Sequence, residues 1–524
     1  MLFQWLVLGA YGLIFLCLAF YGFHRTYLLW LYYRYEKEDP KPENHFDSLP
    51  RVTVQLPFYN EKYVARRVIE AAARLEYPKD LLEIQVLDDS TDETTRICSK
   101  TVEDLRTQGF DISYIHRNDR SGYKAGALEN GMKTAKGEFV AIFDADFIPQ
   151  SDFLQKTIHF FTHPRIGLVQ ARWGHLNREH SALTRTQAMM LDGHFVIEQT
   201  ARYRSERLFC FNGTAGVWRK QTLQDAGGWE HDTLTEDMDV SYRAQLKGWR
   251  FIYLKDLEVP SELPVDMNAF KTQQFRWAKG AMQCARKLLM PVLRSDLNWK
   301  QKAEVFYHLT DNIAYPLLLV LSVLLLPVLL LRSSHGWVEV VFVDLPLLFA
   351  TTISVSTFYI HAEREEGSRK LWQTFKQLPL LLAVGIGLCI SQTRAVLEAL
   401  RGQISGFVRT PKHGVVGREK SWRKRTYRGA VSAVPILELV MAGYFAFTLV
   451  AAIYAGRWVS IPFILLFLVG FSYVGLFSLG HGARRSETKA VESATVPLGA
   501  TESLDLATQT ASTGRSSDAQ SLTG

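Results

Sequence analysis

Cysteine is scarce in this chain: five among 524 residues, at positions 17, 98, 210, 284 and 389. Their spacing fits no metal-binding pattern, and two of them fall within apolar runs. A disulfide framework is therefore set aside, and a reducing cytosol is the simplest setting. Charge is absent from residues 2–23 (LFQWLVLGAYGLIFLCLAFYGF), a length that spans a bilayer. That run has no basic segment before it and no A-x-A site after it, so it reads as an anchor rather than a cleaved signal peptide. No recognisable nucleic-acid-binding motif accompanies the net charge of +7. The excess of basic residues fits contact with an anionic lipid leaflet better than contact with nucleic acid. From about residue 486 the tail is rich in Ser, Thr, Ala and Gly, a composition that predicts disorder.

Hydrophobicity is unevenly distributed. Residues 51 to about 300 mix polar and apolar side chains, as a soluble domain does, and apolar spans resume at 313–331, 338–360, 377–392, 431–455 and 458–480. The pattern predicts an integral membrane protein with one large soluble domain. His24, Arg25, Arg34 and Lys37 follow the first span while nothing charged precedes it. This places the domain in the cytosol and the N-terminus outside. Two later loops are also basic: 361–376, with Arg364, Arg369, Lys370 and Lys376, and 393–430, with ten Lys and Arg residues from Arg394 to Arg428. Both can be cytosolic only if 377–392 does not cross. That segment is short and holds two glycines, so it reads as interfacial or re-entrant. Five crossings follow, with the C-terminus in the cytosol.

Within the soluble part, strand and helix patterns alternate. VTVQLP (52–57), LEIQVLDDS (82–90), DISYIHR (111–117), FVAIF (139–143) and IGLVQARW (166–173) read as strands. Helical patterns over 61–75, from Thr91 or Asp92 to about Gln108, and over 123–135 lie between the first four. Such alternation predicts a parallel, doubly wound α/β sheet, whose ligands bind outside the carboxyl ends of the strands. Two acidic clusters, Asp88-Asp89 and Asp144-Asp146, fall at such ends. Ionised carboxylates are costly to bury, so Asp144 and Asp146 belong just past the strand, in water or beside a cation.

Taken singly, the other motifs have bland readings. TEDMD (235–239) begins a helix, where acids are favoured by the helix dipole. In KTQQFRWAKG (271–280), Gln273, Arg276, Trp277 and Gly280 share one helical face, as an interfacial anchor would also have them. Lys124 in SGYKAGALENG (121–131) suits a phosphate or water. FNGTAGVWR (211–219) is a glycine-bearing turn into a strand, with Asn212 and Thr214 able to satisfy that turn. Jointly they say more. A nucleotide diphosphate needs a divalent cation held by carboxylates and a guanidinium on its phosphates. Glycosyl transfer needs a base for the acceptor hydroxyl, and sugars stack on aromatic rings such as Trp277.

These residues resemble the processive family 2 glycosyltransferases, the group of cellulose, hyaluronan and chitin synthases. The group's D, D-x-D, T-E-D and Q-x-x-R-W motifs are matched by Asp88/Asp89, Asp144-Asp146, Thr235-Glu236-Asp237 and Gln273 to Trp277. QVLDDSTD, NDRSGYKAGAL, LVQARW and FNGTAGVWR are most similar to the cellulose-synthase-like A and C branches. The resemblance is dense over residues 50–290. It implies a GT-A (Rossmann-like) domain at 50–300, joined to membrane α-helices at 1–24 and 301–480. It further implies an enzyme making β-1,4-linked mannan, glucomannan or glucan from GDP-mannose or UDP-glucose, with Mg²⁺ or Mn²⁺.

By the same resemblance Asp237 is the general base, Asp146 a metal ligand, and Asp144 lies on the nucleotide side and near the metal. Asp88 or Asp89 meets the nucleotide, and Lys124, Gln273 and Arg276 meet the diphosphate. Glu236, Trp277, Asn212 and Thr214 fall to the acceptor. FVRTPK (407–412) resembles the gating loop F-x-V-T-x-K through Phe407, Thr410 and Lys412, although Arg409 stands where the family has valine. The implied chemistry is inverting transfer to a growing polysaccharide, which would leave through the membrane helices. Two alternatives remain: a non-processive transferase acting on a polyprenyl-phosphate lipid carrier, and an inactive membrane scaffold. The first class lacks Q-x-x-R-W, and intact motifs weigh against the second.

Overall fold

The computed structural model describes residues 2–35, 40–331, 352–367, 371–403, 405–418 and 433–494, with 481–494 described by backbone alone. At its centre lies β1 (Val52–Phe58), whose apolar side chains at Val52, Val54, Leu56 and Phe58 enter one buried cluster. It pairs in parallel with β2 (Leu82–Asp88) on one edge and β4 (Phe139–Ile142) on the other, and β3 (Asp111–His116) extends the sheet beyond β2. The intervening helices are Ala65–Ala73, Thr94–Arg106 and Tyr123–Met132, close to the predicted spans. The second begins at Thr94, whose N–H is held by the Asp92 carboxylate at 2.9 Å. β4 buries Phe139 and Ala141 on one face and Val140 and Ile142 on the other, so helices must cover both sides.

The other half of the sheet departs from the all-parallel expectation. Strand order is β3-β2-β1-β4-β6-β5-β7, and β6 (Gly216–Arg219) runs antiparallel to both β4 and β5 (Ile166–His175). Positive φ at Gly213 (81°) and Ala215 (58°) turns the FNGTAG segment back on itself and sends β6 between the two. β7 (Arg250–Ser261) pairs in parallel with β5 and is absent from the sequence reading. Its apolar run is broken by Lys255, Asp256 and Glu258. Arg172 of β5 absorbs part of that polarity, donating to the Lys255 carbonyl at 2.8 Å and the Glu258 carboxylate at 2.7 Å. The result is the mixed sheet of a GT-A domain.

Among the described residues four helices are long and apolar enough to cross a membrane: Leu2–Tyr35, Trp299–Leu331, Val434–Tyr454 and Trp458–Gly480. They mark the chain as membrane-associated. Of the span expected at 338–360, only the end is described, within the helix Ser354–Glu366. Segment 377–392 falls in a pair of helices, Leu371–Gly387 and Cys389–Leu400, bent by 42° where they meet. That bend suits either a broken span or a re-entrant loop. The last helix runs on to Ala494, into the expected tail, and residues 495–524 lie outside the described part. Lys37, Arg369, Lys370 and the basic residues from Lys420 to Arg428 lie outside it too. All five cysteines are free thiols.

One helix ties the domain to the apolar bundle. Met267–Arg294 starts at Asp266, whose side chain caps it by accepting from the Ala269 N–H at 2.8 Å. One turn on, Lys271 Nζ lies 2.5 Å from the Glu438 carboxylate and 3.3 Å from Ser478 Oγ, while Asn268 donates to the Ser478 carbonyl. Lys271 and Glu438 are both buried. Farther along, Gly280 packs so closely that an added Cβ would come within 2.5 Å of the Thr235 side chain. Glycine here lets the helix carrying Gln273, Arg276 and Trp277 press onto the T-E-D turn. Removing one member of a buried ion pair strands the other, at roughly 3–5 kcal/mol, whereas replacing both with apolar groups can be neutral. Lys271→Met should therefore lower the melting temperature of the detergent-solubilised protein, and Lys271→Met with Glu438→Leu should recover most of the loss.

Candidate active site

The carboxyl ends of β1, β2, β4 and β7 open onto one cleft with about 1210 Å³ of empty space, including its mouth. The sheet contributes Asp89, Asp144, Asp146 and Glu262; helices contribute Lys124, Glu236, Asp237, Gln273, Arg276 and Trp277. A strap of chain, residues 405–417, lies over the cleft and places Phe407, Arg409, Thr410 and Lys412 in its wall. Residues from eleven segments of the chain thus meet where strand order predicts a ligand. Carboxylates outnumber cationic side chains among them. A polyanionic ligand could enter such a cleft only with a cation of its own.

Asp144 is fixed from two sides. Its N–H donates to Thr214 Oγ1 at 2.9 Å, and its Oδ1 lies 2.5 Å from Lys124 Nζ, which also donates to the Gly213 carbonyl at 2.8 Å. Asp146 Oδ2 accepts from Lys412 Nζ at 2.7 Å. Both carboxylates of the D-x-D therefore already hold a cationic group. Their hard oxygens, beside an open cleft, are a donor set for Mg²⁺ or Mn²⁺. A different acidic group, Glu230, Asp232 and Asp239, instead converges on Lys287 Nζ at 2.5, 2.9 and 2.9 Å. The second D-x-D of the chain thereby splits: Asp237 lines the cleft while Asp239 is buried behind it on Lys287 and Arg243.

Asp237 stands in the first turn of the helix Glu236–Leu246, with Oδ1 accepting from the Met238 N–H at 2.9 Å. Burial pushes its carboxyl up to about 7, the neighbouring Glu236 charge adds to this, and Lys124 offsets part of it. Glu236 is raised as well, again by burial first. Lys124 is raised because Asp144 and Glu236 outweigh the penalty of burial. Arg276 is lowered by burial despite the acids around it. Its guanidinium covers the Phe407 ring at 4.3 Å and donates to the Val408 carbonyl at 3.2 Å. Trp277 lies beside Trp173, 6.3 Å between ring centres, and Trp173 stacks on Phe195. Two indoles thus form an apolar wall of the cleft that Asp237 also lines.

Two of the expected site residues lie away from the cleft lining. Asp88 is fully buried under the sheet, where it accepts from Tyr114 Oη at 2.7 Å and the Ser90 N–H at 2.9 Å, and does not line the cleft. Side chains alternate along a strand, so of the pair only Asp89 reaches the ligand side, gripped by Arg117 through both oxygens. Thr214 is likewise buried, and its hydroxyl serves the Asp144 N–H rather than an acceptor. Asn212 does line the cleft, with its amide 3.1 Å from His194. Among the lining residues that the sequence reading missed are Glu61, Arg120 and Glu262. Glu61, at the exit of β1, pairs with Arg409 at 3.2 Å, and burial raises its carboxyl to about 7 against the pull of Arg409. Arg120 covers the Tyr59 ring at 3.4 Å. Glu262 follows β7, the strand that sequence patterning did not reveal. Glu61 and Tyr59 were findable, because they follow β1 at the same sheet edge.

Residues 50–280 match the family model described as glycosyltransferase like family 2. Over 461 residues the chain is 34% identical to glucomannan 4-beta-mannosyltransferase 7 of Arabidopsis thaliana, covering 85% of this chain and 81% of that one. The chain belongs to the family 2-like glycosyltransferases. Within that family it is also 35% identical, over 84% of both chains, to a probable glucomannan 4-beta-mannosyltransferase 9 of Oryza sativa subsp. japonica. A match at 42% identity to the probable enzyme 7 of the same species is confined to 58% of this chain and spans about half, 54%, of that relative. Among solved structures, the mannosyltransferase PcManGT of Pyrobaculum calidifontis, in complex with GDP-Man and Mn²⁺, is 20% identical with a TM-score of 0.49 over 68% of this chain and 98% of its own.

In this glycosyltransferase Gly213 is where backbone and chemistry meet. Its φ of +81° disfavours any L side chain, and an added Cβ would lie 3.1 Å from Asp237 Oδ2 and 3.4 Å from Lys124 Nζ. Gly213→Ala should cost at least about 1 kcal/mol of local stability. Displacement of Lys124 and Asp237 should lower sugar transfer roughly tenfold or more, since an ångström of misplacement is felt strongly in catalysis. Initial rates of radiolabelled sugar incorporation, normalised to folded protein, check this.

Proposed function

We propose that this chain is an inverting, processive hexosyltransferase that extends a β-1,4-linked mannan or glucomannan, using GDP-mannose as its principal donor. The observation that carries the reading is the convergence of Asp237, the Asp144/Asp146 pair and Arg276 around one cleft roofed by the strap. The choice of mannose rests on the glucomannan mannosyltransferases among its relatives. UDP-glucose is the second donor to be tested.

Asp237 accepts the proton of the acceptor 4-hydroxyl as that oxygen attacks the anomeric carbon from the face opposite the diphosphate. A carboxyl raised to about 7 is a stronger base than an ordinary aspartate and still ionises near neutrality. Arg276 and Lys124 stand where they can hold the departing diphosphate, Arg276 with its planar fork and Lys124 as a point charge. Gln273, one turn before Trp277, adds a neutral donor on the same side. Asp144 and Asp146 would hold Mg²⁺ or Mn²⁺, which when bound supplies the positive charge that this acid-rich cleft lacks. Asp89, locked by Arg117, faces the nucleoside. Trp277 and Trp173 present ring faces to the acceptor sugar, bordered by Glu236 and Asn212. The strap closes over the donor through Phe407, Thr410 and Lys412.

The lipid bilayer is the second partner, through the apolar helices, with the catalytic domain cytosolic and the N-terminus outside. Arg25 and Arg34, near the inner end of the first helix, support that orientation. The polysaccharide would cross between the membrane helices as it grows. Membranes containing the protein, given each labelled nucleotide sugar in turn with Mg²⁺ or Mn²⁺ and then linkage-specific digestion, test the whole reading. Label from GDP-mannose in a β-1,4-mannanase-sensitive polymer is expected. Label confined to a short lipid-soluble product would point instead to a lipid-carrier transferase, and no incorporation from any donor to a scaffold.

Asp237→Asn keeps the shape and removes the base, so polymer output should fall at least about a thousandfold while the protein still folds. The pH profile has a definite sign. The base acts only when deprotonated, so kcat/KM should fall about tenfold per pH unit below roughly 7 and level off above it. A profile flat from pH 5 to 8 would argue against Asp237 as the base.

A further inference from the structure

Glu262 takes no part in the transfer outlined above, yet it is one of the most enclosed acids at the cleft, with 2% of its surface exposed. It follows β7 directly, and both of its carboxylate oxygens are spent on the strap. The His413 N–H donates to Oε1 at 2.8 Å and the Gly414 N–H to Oε2 at 2.7 Å. The Glu262 backbone joins in: its carbonyl accepts from Lys412 Nζ at 2.6 Å, and its N–H points to Asp146 Oδ2 at 3.3 Å. Gly414 has a φ of +68°, which glycine adopts without strain and which aims the two consecutive amides at one carboxylate. Farther along, the Gly417 N–H donates to the Leu176 carbonyl at 2.9 Å. Toward its other end, Ser405 is held by Lys279 at 2.9 Å.

We propose that Glu262 is the latch of the strap: a positioning residue that docks residues 405–417 over the donor and so sets how tightly the donor is retained. The assignment rests on the transferase reading for its donor, and on geometry alone for the docking. Contacts made by the strap's side chains point toward groups that a donor would engage: Phe407 on Arg276, Arg409 on Glu61 and Lys412 on Asp146. Those must rearrange when a diphosphate and a cation arrive. The bond to Glu262 is made by strap backbone and reaches no reacting group. It can therefore persist while Lys412 swings from Asp146 to a phosphate. A buried carboxylate that holds two strap amides also penalises undocking, because an opening that leaves Glu262 enclosed strands its charge without partners.

Hydrogen exchange of the full-length protein in detergent, read by mass spectrometry without donor, tests the docking itself. In Glu262→Ala, peptides covering 407–416 should exchange at least about tenfold faster while those covering β1 and β4 keep their protection. Glu262→Gln, which retains one acceptor, should fall between the two. Steady-state assays should then show the donor KM raised about tenfold, with kcat changed less than about threefold. Unchanged exchange in 407–416, or a loss confined to kcat, would overturn the proposal. If Glu262→Ala also loosens β1 and β4, Glu262→Gln decides, since it keeps the side chain's volume while weakening its grip on the two strap amides. Faster exchange confined to the strap supports the latch, and unaltered exchange overturns it. A wild-type enzyme that transfers no sugar would overturn the transferase reading while leaving the exchange result to stand.

Discussion

Like charges crowded together in a place where water is scarce are the constraint around which this molecule is built. Asp144, Asp146, Glu236, Asp237, Glu61 and Glu262 all line one cleft, where enclosing carboxylates is costly unless partners are supplied. Each is answered by a specific group delivered from elsewhere in the chain. Lys124 comes from the helix after β3, Arg276 from the helix that joins domain to bundle, and Arg409 and Lys412 from the strap. The fold can be understood as the means of bringing those answers to the acids, with Lys124, Lys412 and Arg409 at 2.5, 2.7 and 3.2 Å from Asp144, Asp146 and Glu61. The same arrangement leaves burial only partly offset at Asp237, whose carboxyl rises to about 7 and is therefore basic.

Much of the site could be inferred from residue order because it lies where an apolar strand stops. FVAIF ends in Asp144 and Asp146, LEIQVL ends in Asp88 and Asp89, and parallel strands bring both ends to one edge. Helical spacing likewise put Gln273, Arg276 and Trp277 on a common face. What escaped was decided by single backbone torsions or by alternation. Nothing in the identity of Ala215 announces a positive φ, yet that torsion helps reverse β6 and make the sheet mixed. The pair Asp88-Asp89 offers two equivalent carboxyls to a reader of sequence, and only the pleat sends one toward Tyr114 and the other toward Arg117. β7 hid behind its charges, since Glu258 is reconciled with a strand by Arg172, more than eighty residues earlier, and the Lys255 ammonium by Tyr32 of the first helix. With β7 unseen, Glu262 had no reason to be noticed.

Membrane and domain are coupled by polar bonds rather than by apolar packing alone. Arg172 and Arg178, at the end of β5 and just beyond it, reach Glu366 and Glu363 of the helix Ser354–Glu366. Lys271 reaches Glu438. Directional bonds of this kind fix rotation and register as well as distance. The bend between Leu371–Gly387 and Cys389–Leu400 leads from the bundle back to the strap, so the roof of the cleft is also an extension of the membrane part.

The helix Met267–Arg294 gives that coupling a practical meaning. The family match closes at residue 280, in the middle of this helix. A soluble fragment trimmed to the matched region would break the helix a few residues past Trp277 and strand the Lys271 ammonium without its carboxylate. It would also leave behind the strap, and with it the counter-charges of Asp146 and Glu61. The groups that complete this cleft therefore extend past the matched region, into the strap and the bundle.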